Sequence, residues 1–170
     1  NTETKLLTKL MYTLSYPLQK EGLIYDKFFN PTVSLRFSPN NTKNMSNEDR
    51  VMNINNIYSF NRVSSDEGIE GGQSLTAGLN YKLRDKTGLD KLSLNLAQVY
   101  RDESNPDLPI NSSLNNKYSD IIGNIKFNLL DNLNLEYDFV ADNNFNKVNY
   151  NLLNASLNVN NFVTSFEYLE

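Results

Sequence analysis

The feature that most constrains the fold is a strict alternation of apolar and polar residues over unusually long segments. Residues 73–84 read QSLTAGLNYKLR, so that Leu, Ala, Leu, Tyr and Leu occupy the odd positions from 75 to 83. The even positions hold Ser, Thr, Gly, Asn, Lys and Arg. A period of two residues is the signature of a β-strand whose two faces meet different surroundings.

The same alternation recurs along the chain, and no stretch shows a comparable helical period. Residues 53–62 are less regular, and a parity slip near Leu152 and Leu153 suggests a β-bulge. The sequence therefore predicts an all-β fold, an antiparallel meander of about nine long strands. The predicted strands are 6–18, 29–37, 53–62, 73–84, 91–101, 121–129, 133–139, 148–159 and 162–168.

The connections between these segments alternate in length. Short turns are predicted at 86–88, 131–132 and 160–161, where Gly, Asn and Asp supply turn chemistry. Longer polar loops are predicted at 19–27, 39–50, 63–72 and 102–117. Such alternation is expected of an outer-membrane barrel, which has long loops on one side and short turns on the other. The loop at 39–50 breaks the rule, because it is long where a short turn is expected.

Two architectures fit an alternating sheet. In a soluble β-sandwich the apolar face packs inward, whereas in a membrane barrel it meets lipid and the polar face lines a wet lumen. The predicted strands run to about 10 residues or more, longer than the usual 5–6 of soluble strands. The polar face is rich in Asn, Ser, Thr, Lys and Arg, which also favours a section of a large transmembrane barrel. Aromatic residues that fit an interfacial girdle are Tyr12, Tyr16, Phe37, Tyr58, Tyr81, Tyr100 and Tyr137.

Composition excludes several functions. The 170 residues include no Cys, His or Trp, which rules out disulfides, thiolate chemistry, His-based triads and Cys/His zinc sites. A net charge of -4 with scattered Lys and Arg disfavours nucleic acid as a partner. We therefore expect neither catalysis nor a metal or other cofactor. The chain opens on Asn1, and we expect residues 1–170 to be one partial barrel domain of a longer protein.

Residues 61–79, NRVSSDEGIEGGQSLTAGL, carry a resemblance to a known family. They resemble the pattern N-R-F-S-G-x-D-R-I-E-G-G-x-x-L-x-x-G-L of the LPS-assembly outer-membrane proteins, the LptD (OstA, Imp) family. The segments YPL at 16–18, NPTV at 30–33 and LNLAQVY at 94–100 are similar to further family landmarks in the same order. Ser65, Glu67, Gly68 and Ala97 depart from the pattern, and any ion pair that the family makes through its arginine at position 68 cannot form here. The matching motif residues are Asn61, Arg62, Ser64, Ile69, Glu70, Gly71, Gly72 and Gln98.

The resemblance implies a role in assembling lipopolysaccharide (LPS) into the outer leaflet of the outer membrane. The family's very large barrel holds an LptE-like plug lipoprotein and receives LPS from a periplasmic bridge protein through an N-terminal jellyroll domain. This chain would be an interior section of the barrel wall, in contact with membrane lipid. The alternatives left open by the residues are another outer-membrane barrel, porin-like or adhesive, and a soluble all-β binding domain.

The sequence also offers candidate contacts on the polar face. Lys82, Arg84 and Lys126 are of the type that meets phosphate, although pairing with carboxylates of the wall is the more ordinary interpretation. A divalent cation at the acidic residues of 66–70 is a weaker hypothesis than a folded-in or solvated loop. The candidate lumen-facing residues are Ser74, Thr76, Asn80, Lys82, Arg84, Lys126 and Glu136.

Overall fold

A computed structural model describes residues 8–63, 69–130, 132–160 and 162–170 of the chain, with the side chain of Leu129 left undescribed. Within these residues the only helix is one 3-10 turn, and no helix is long and apolar enough to cross a membrane. The fold is all-β, as the alternation predicts. The nine strands are β1 (Leu10–Ser15), β2 (Leu18–Lys20), β3 (Tyr25–Ser38), β4 (Gly72–Asp85), β5 (Asp90–Arg101), β6 (Ile121–Leu130), β7 (Leu133–Ala141), β8 (Val148–Val159) and β9 (Phe162–Leu169).

The strands form one antiparallel meander in the order β1-β3-β4-β5-β6-β7-β8-β9, and β2 also pairs with β3. The strands β1 and β2 are therefore two pieces of one interrupted strand. The interruption covers Tyr16 and Pro17, which lie opposite Pro31 and Asn30 of β3. Neither proline has an N–H to donate to the ladder. The N–H of Tyr16 still donates to the carbonyl of Pro31 at 3.1 Å, so the broken strand stays in register.

The two faces of the sheet show the reverse of the burial expected in a soluble protein. Along the second half of β3, Ser34 and Arg36 are buried, whereas Leu35 between them is 51% exposed. No second layer of described residues covers the apolar face, so the described residues do not form a β-sandwich among themselves. We call this exposed side the apolar face and the other side the polar face. Large exposed side chains of the apolar face include Leu10, Tyr12, Leu14, Val33, Leu35, Phe37, Tyr100, Phe127, Leu153, Phe166 and Tyr168.

The prediction of a strand at 53–62 is wrong, and its correction explains the misplaced long loop. Residues 54–63 form turns, and the whole of 39–71 is one connection between β3 and β4. The side-chain oxygen of Asn53 accepts from the N–H of Asn55, and the side-chain amide of Asn56 donates to the carbonyl of Val51, so these asparagines favour turns over a sheet ladder. With this change the two long connections, 39–71 and 102–120, lie at the same end of the sheet, and short turns join the strands at the other end.

The parity slip in β8 has a different cause from the one predicted. The register runs without a break through Leu152 and Leu153, and the irregularity lies nearer the start of the strand, where Ala141 pairs with Val148 but Val140 pairs with Tyr150. Leu152 is an apolar residue on the polar face. It lines a recess shared with Ile54 and Ile122, which explains why an apolar side chain is tolerated there.

Gly123 of β6 is a point of close packing on the apolar face. A Cβ at this position would overlap the ring of Phe139 on β7, which lies directly across the glycine. Replacing Gly123 by Ala is expected to destabilise the intact protein by about 1–3 kcal/mol, because overpacking forces the ring to move. Urea unfolding of detergent-solubilised protein measures this. The second substitution Phe139→Leu should recover most of the loss, and an additive double mutant would contradict the contact.

Candidate functional site: a buried ion cluster on the polar face

The long connections fold back over the polar face and form the protein's main hydrophobic core there. We call residues 39–63 and 69–71 together with 102–120 the loop layer. Its apolar side chains pack on small and aliphatic residues of the sheet, so that this half of the polar face is covered. The core consists of Met45, Met52, Ile57, Val63, Leu108 and Leu114 of the loop layer and Ala97, Val99 and Ile122 of the sheet.

Direct hydrogen bonds hold the two connections to each other. The N–H of Met45 donates to the carbonyl of Asp107 at 2.8 Å, and the N–H of Ile110 donates to the carbonyl of Ser46 at 3.3 Å. The side-chain amide of Asn105 donates to the hydroxyl of Thr42 at 2.8 Å. The loop layer is therefore one packed unit, and movement of one connection disturbs the other.

Arg62 ties the loop layer to the wall. Its Nε donates to Oε2 of Glu70 at 3.0 Å and its Nη2 to Oε1 at 2.6 Å, a bidentate pair that spans residues 62–70. The same guanidinium donates to the hydroxyls of Thr76 at 2.9 Å and Ser74 at 2.8 Å on β4. Every nitrogen of this buried side chain therefore has an acceptor, as a buried charge requires.

Glu70 is the centre of a larger cluster. Its Oε1 also accepts from Nη1 of Arg101 at 2.7 Å, and its Oε2 lies 3.5 Å from Nη1 of Arg36. The four side chains are only 1–6% exposed. Arg36 lies two residues before the end of β3 and Arg101 is the last residue of β5, so the carboxylate joins the loop layer to the two strands that flank β4. We call Arg36, Arg62, Glu70 and Arg101 the ion cluster.

Two glycines allow Glu70 to reach this position. A Cβ on Gly71 would overlap the carbonyl of Asn40, and the N–H of Gly71 donates to the hydroxyl of Thr42 at 3.0 Å. The carbonyl of Gly71 accepts from Nη2 of Arg101 at 2.7 Å. Gly72 adopts a φ of 85°, a left-handed conformation that other residues rarely take. The Glu-Gly-Gly sequence is thus a backbone requirement of the cluster.

The charge state of Glu70 follows from its neighbours. Burial alone would raise the pKa of this carboxyl, but the guanidinium groups of Arg62, Arg36 and Arg101 outweigh burial and lower the pKa. Glu70 is therefore a carboxylate at neutral pH. Both of its oxygens contact arginine, and Asp66 and Glu67, the other acidic residues of the predicted cation loop, lie outside the described residues. Among the described residues no group of three or more Asp or Glu side chains could hold a metal ion.

Comparison with known proteins identifies the family. The family model described as LptD: LPS transport system D matches residues 2–170, which is nearly the whole chain. The chain belongs to the LptD family. A direct search of curated proteins finds no match. Membership of this family implies LPS transport, and a meander whose sheet does not close within the described residues is consistent with a section of an LptD barrel.

The residues of the LptD motif serve the ion cluster and its surroundings. Besides Arg62, Glu70 and the glycines, Asn61 accepts from the ammonium of Lys9 at 2.6 Å, and Ile69 is half-buried. Gln98 lies on the apolar face, where its amide donates to the carbonyl of Ser119 at 2.8 Å. Ser64 lies outside the described residues. Sequence reasoning missed Arg36 and Arg101, although both lie on the polar face near the end of a strand that leads into a long connection.

The structure separates the predicted lumen-facing residues into two groups. Ser74 and Thr76 lie on the polar face but are buried beneath the loop layer as partners of Arg62. The others lie on the uncovered part of this face and are largely paired across strands. Asn80 donates to Asn95, Lys82 and Arg84 flank Asp90 at 3.7 and 2.7 Å, and Lys126 lies 2.7 Å from Glu136.

The aromatic residues also divide. Tyr58 lies in the loop layer, packed against Gly78 of β4 on the polar face, and does not belong to a girdle. Its assignment to the apolar face was wrong because residues 53–62 are not a strand. Tyr100 at the end of β5 packs against Tyr118 of the connection 102–120, with ring centroids 5.2 Å apart.

Removing the central carboxylate charge is expected to be costly. The substitution Glu70→Gln should destabilise the intact protein by about 3–5 kcal/mol, because it leaves three buried guanidinium groups without their anion. The free energy of unfolding in urea at pH 7 measures this. The matched control is Glu136→Gln, whose half-exposed pair with Lys126 should contribute less than about 1 kcal/mol. Equal losses in the two variants would contradict the central role of Glu70.

The destabilisation of Glu70→Gln should depend on pH in one direction. Because the pKa of Glu70 is lowered in the folded state, its stabilising contribution is fully present above the ordinary value of 4.5 and is lost as pH falls through the folded-state pKa. The difference in unfolding free energy between wild type and variant should therefore be constant from pH 7 to about 5 and shrink below it. A difference that grows on acidification would contradict this charge assignment.

Proposed function

We propose that this chain is a section of the wall of the outer-membrane LPS translocon. The observation that carries the proposal is the reversed burial of the sheet: aliphatic and aromatic side chains are exposed on one face while serine, threonine and arginine are buried on the other. Such a sheet is stable when its exposed face lies in hydrocarbon, because removal of apolar area from water contributes roughly 25 cal/mol per Å². The proposed location is therefore the outer membrane.

In this arrangement the polar face borders the lumen of the barrel. Outer-membrane barrels carry their long loops on the extracellular side, so the loop layer lies at the outer-leaflet end of the wall and the short turns face the periplasm. The uncovered part of the polar face, around Asn80, Lys82 and Lys126, offers amide and charged groups to the saccharide of LPS and to a plug lipoprotein in the lumen. A periplasmic bridge protein delivers LPS through a separate domain of the parent protein.

Transport along this wall is physical and not chemical. The wall separates hydrocarbon from a hydrated passage. The saccharide of an amphiphile can therefore stay hydrated while its acyl chains contact an apolar surface. The ion cluster contributes by holding the loop layer against the wall at one end of that passage. No bond is made or broken in this role, and we propose no enzymatic activity for the chain.

Cysteine accessibility tests the placement of the two faces. The sequence contains no cysteine, so single substitutions in this region report without background from it. In native membranes, Leu35→Cys and Leu153→Cys should react with a lipid-soluble maleimide and resist a water-soluble one. The neighbouring Asn154→Cys and Ser93→Cys of the polar face should show the opposite preference. Labelling of Leu153→Cys by the water-soluble reagent as readily as Asn154→Cys would refute the membrane placement.

Depletion and complementation test the transport role. Cells that depend on a plasmid copy of the parent gene should lose surface LPS when Glu70 is replaced by Ala, because the loop layer is released from the wall. The control Glu136→Ala should complement. Surface LPS is measured by labelling intact cells, and the amount of folded protein in the membrane is measured in parallel. Normal surface LPS in cells that lack this section of the wall would contradict the proposal.

A further inference from the structure

The ion cluster has an imbalance of charge. Three guanidinium groups, those of Arg36, Arg62 and Arg101, surround the single carboxylate of Glu70, and all four are at most 6% exposed. The ammonium of Lys9 lies at the edge of the cluster, and the side chain of Asp102, which follows Arg101, is exposed. Counting the buried side chains of the described residues, the cluster carries a net charge of +2. Isolated buried charge is strongly unfavourable unless a counter-charge accompanies it.

The donors of the cluster that have no hydrogen-bond partner lie on two of its arginines. Nε and Nη2 of Arg36 and Nε of Arg101 are buried and have no hydrogen-bond partner. The remaining nitrogen of Arg36, Nη1, makes only long contacts, 3.5 Å to Glu70 and 3.5 Å to the carbonyl of Ser59. Arg62, by contrast, is satisfied at every nitrogen. The unused donors therefore belong to the two strand-end arginines on either side of β4.

We propose that Arg36 and Arg101 form a binding site for an oxyanion of the phosphate class. A phosphate group carries a charge of about -1.5 to -2 at pH 7 and three acceptor oxygens, which matches both the excess charge and the three unused donors. Arginine forks bind such groups with two parallel hydrogen bonds. The source of the group is either free phosphate or the phosphorylated saccharide of a lipid. The site rests on this geometry and does not require the proposed transport function.

Binding there would have a structural consequence. The oxyanion would occupy the arginines that Glu70 engages least, Arg36 above all, and leave the bidentate pair of Glu70 with Arg62 intact. It would thus complete the cluster and strengthen the attachment of the loop layer to β3 and β5. An anion that binds only the folded protein raises its stability in proportion to the logarithm of its concentration.

Thermal unfolding of the intact detergent-solubilised protein tests the site. Inorganic phosphate should raise the midpoint in a saturable way beyond sodium chloride at equal ionic strength. The substitutions Arg36→Gln and Arg101→Gln should each raise the apparent Kd for phosphate by about tenfold or more, the expected loss for a charged hydrogen bond. The matched control is Arg84→Gln, an arginine of the same face paired with Asp90, which should bind phosphate like wild type.

Three outcomes would overturn the proposal. They are the absence of a phosphate-specific shift in wild type, an equal loss of binding in Arg84→Gln, and stabilisation by phosphate only in the double variant Asp66→Asn/Glu67→Gln. The last result would mean that the chain itself supplies the anion. If Arg36→Gln and Arg101→Gln do not fold, the position of tungstate, an electron-dense phosphate analogue, in the wild-type protein decides. Density between the two guanidinium groups supports the site, and its absence there refutes it.

Competition distinguishes the source of the phosphate. A phosphorylated saccharide headgroup that displaces phosphate, when its dephosphorylated form does not, identifies a lipid headgroup as the ligand. Phosphate binding that the phosphorylated headgroup does not affect identifies the free ion, and either result supports the site. The outcome is independent of transport, since protein that assembles LPS in cells but shows no phosphate-specific stabilisation refutes this site and leaves the proposed function standing.

Discussion

The structure depends on one constraint, a sheet whose backbone groups are paired with neighbouring strands while one face of its side chains is not covered by a second layer of the described residues. From β3 to β8 each strand hydrogen-bonds a neighbour on both sides. Lateral pairing satisfies the backbone without any help from solvent, which is the condition for placing a sheet in hydrocarbon. The apolar face then needs no covering layer, and the chain is free to build its hydrophobic core on the opposite side.

That core is unusual because loops supply most of it. Met52 and Ile57 of one connection and Leu108 and Leu114 of the other pack over small residues of the wall such as Ala97. The ion cluster adds a polar attachment at the rim, where β3 and β5 end. A buried ion pair contributes little net stability compared with apolar packing, but it fixes one arrangement because misplaced partners leave charge unpaired. Apolar packing therefore holds the loop layer down, and the arginines determine where it sits.

Sequence periodicity was sufficient for the strands and insufficient for the site. The alternation at 73–84 and 91–101 located β4 and β5 to within a residue at either end, because each face of a strand meets one kind of environment along its whole length. The same reasoning misread 53–62, where apolar residues are spaced by turns and pack under a loop. It also treated the polar face as uniformly wet. Nothing in local sequence shows that Ser74 and Thr76 are covered, since Arg62, which donates to both hydroxyls, lies 12 and 14 positions away.

The two arginines that sequence reasoning missed contact Glu70 from distant parts of the sequence. The resemblance pointed to Arg62 and Glu70, which are close in sequence and belong to one motif. Arg36 and Arg101 reach the same carboxylate only through strand pairing, which sets Ser74 opposite both of them. A pattern confined to one segment cannot contain such a contact. Two inward arginines at strand ends that flank the motif strand would have been the usable signal.

The position of these arginines also bears on how the wall assembles. Shifting β3 or β5 by a single residue against β4 would turn Arg36 or Arg101 to the apolar face, because successive side chains point to opposite faces. Such an error would leave a guanidinium among apolar side chains and at the same time deprive Glu70 of a neighbour. The correct alignment is the one in which both arginines meet the carboxylate together, so the cluster favours a single register of β3, β4 and β5.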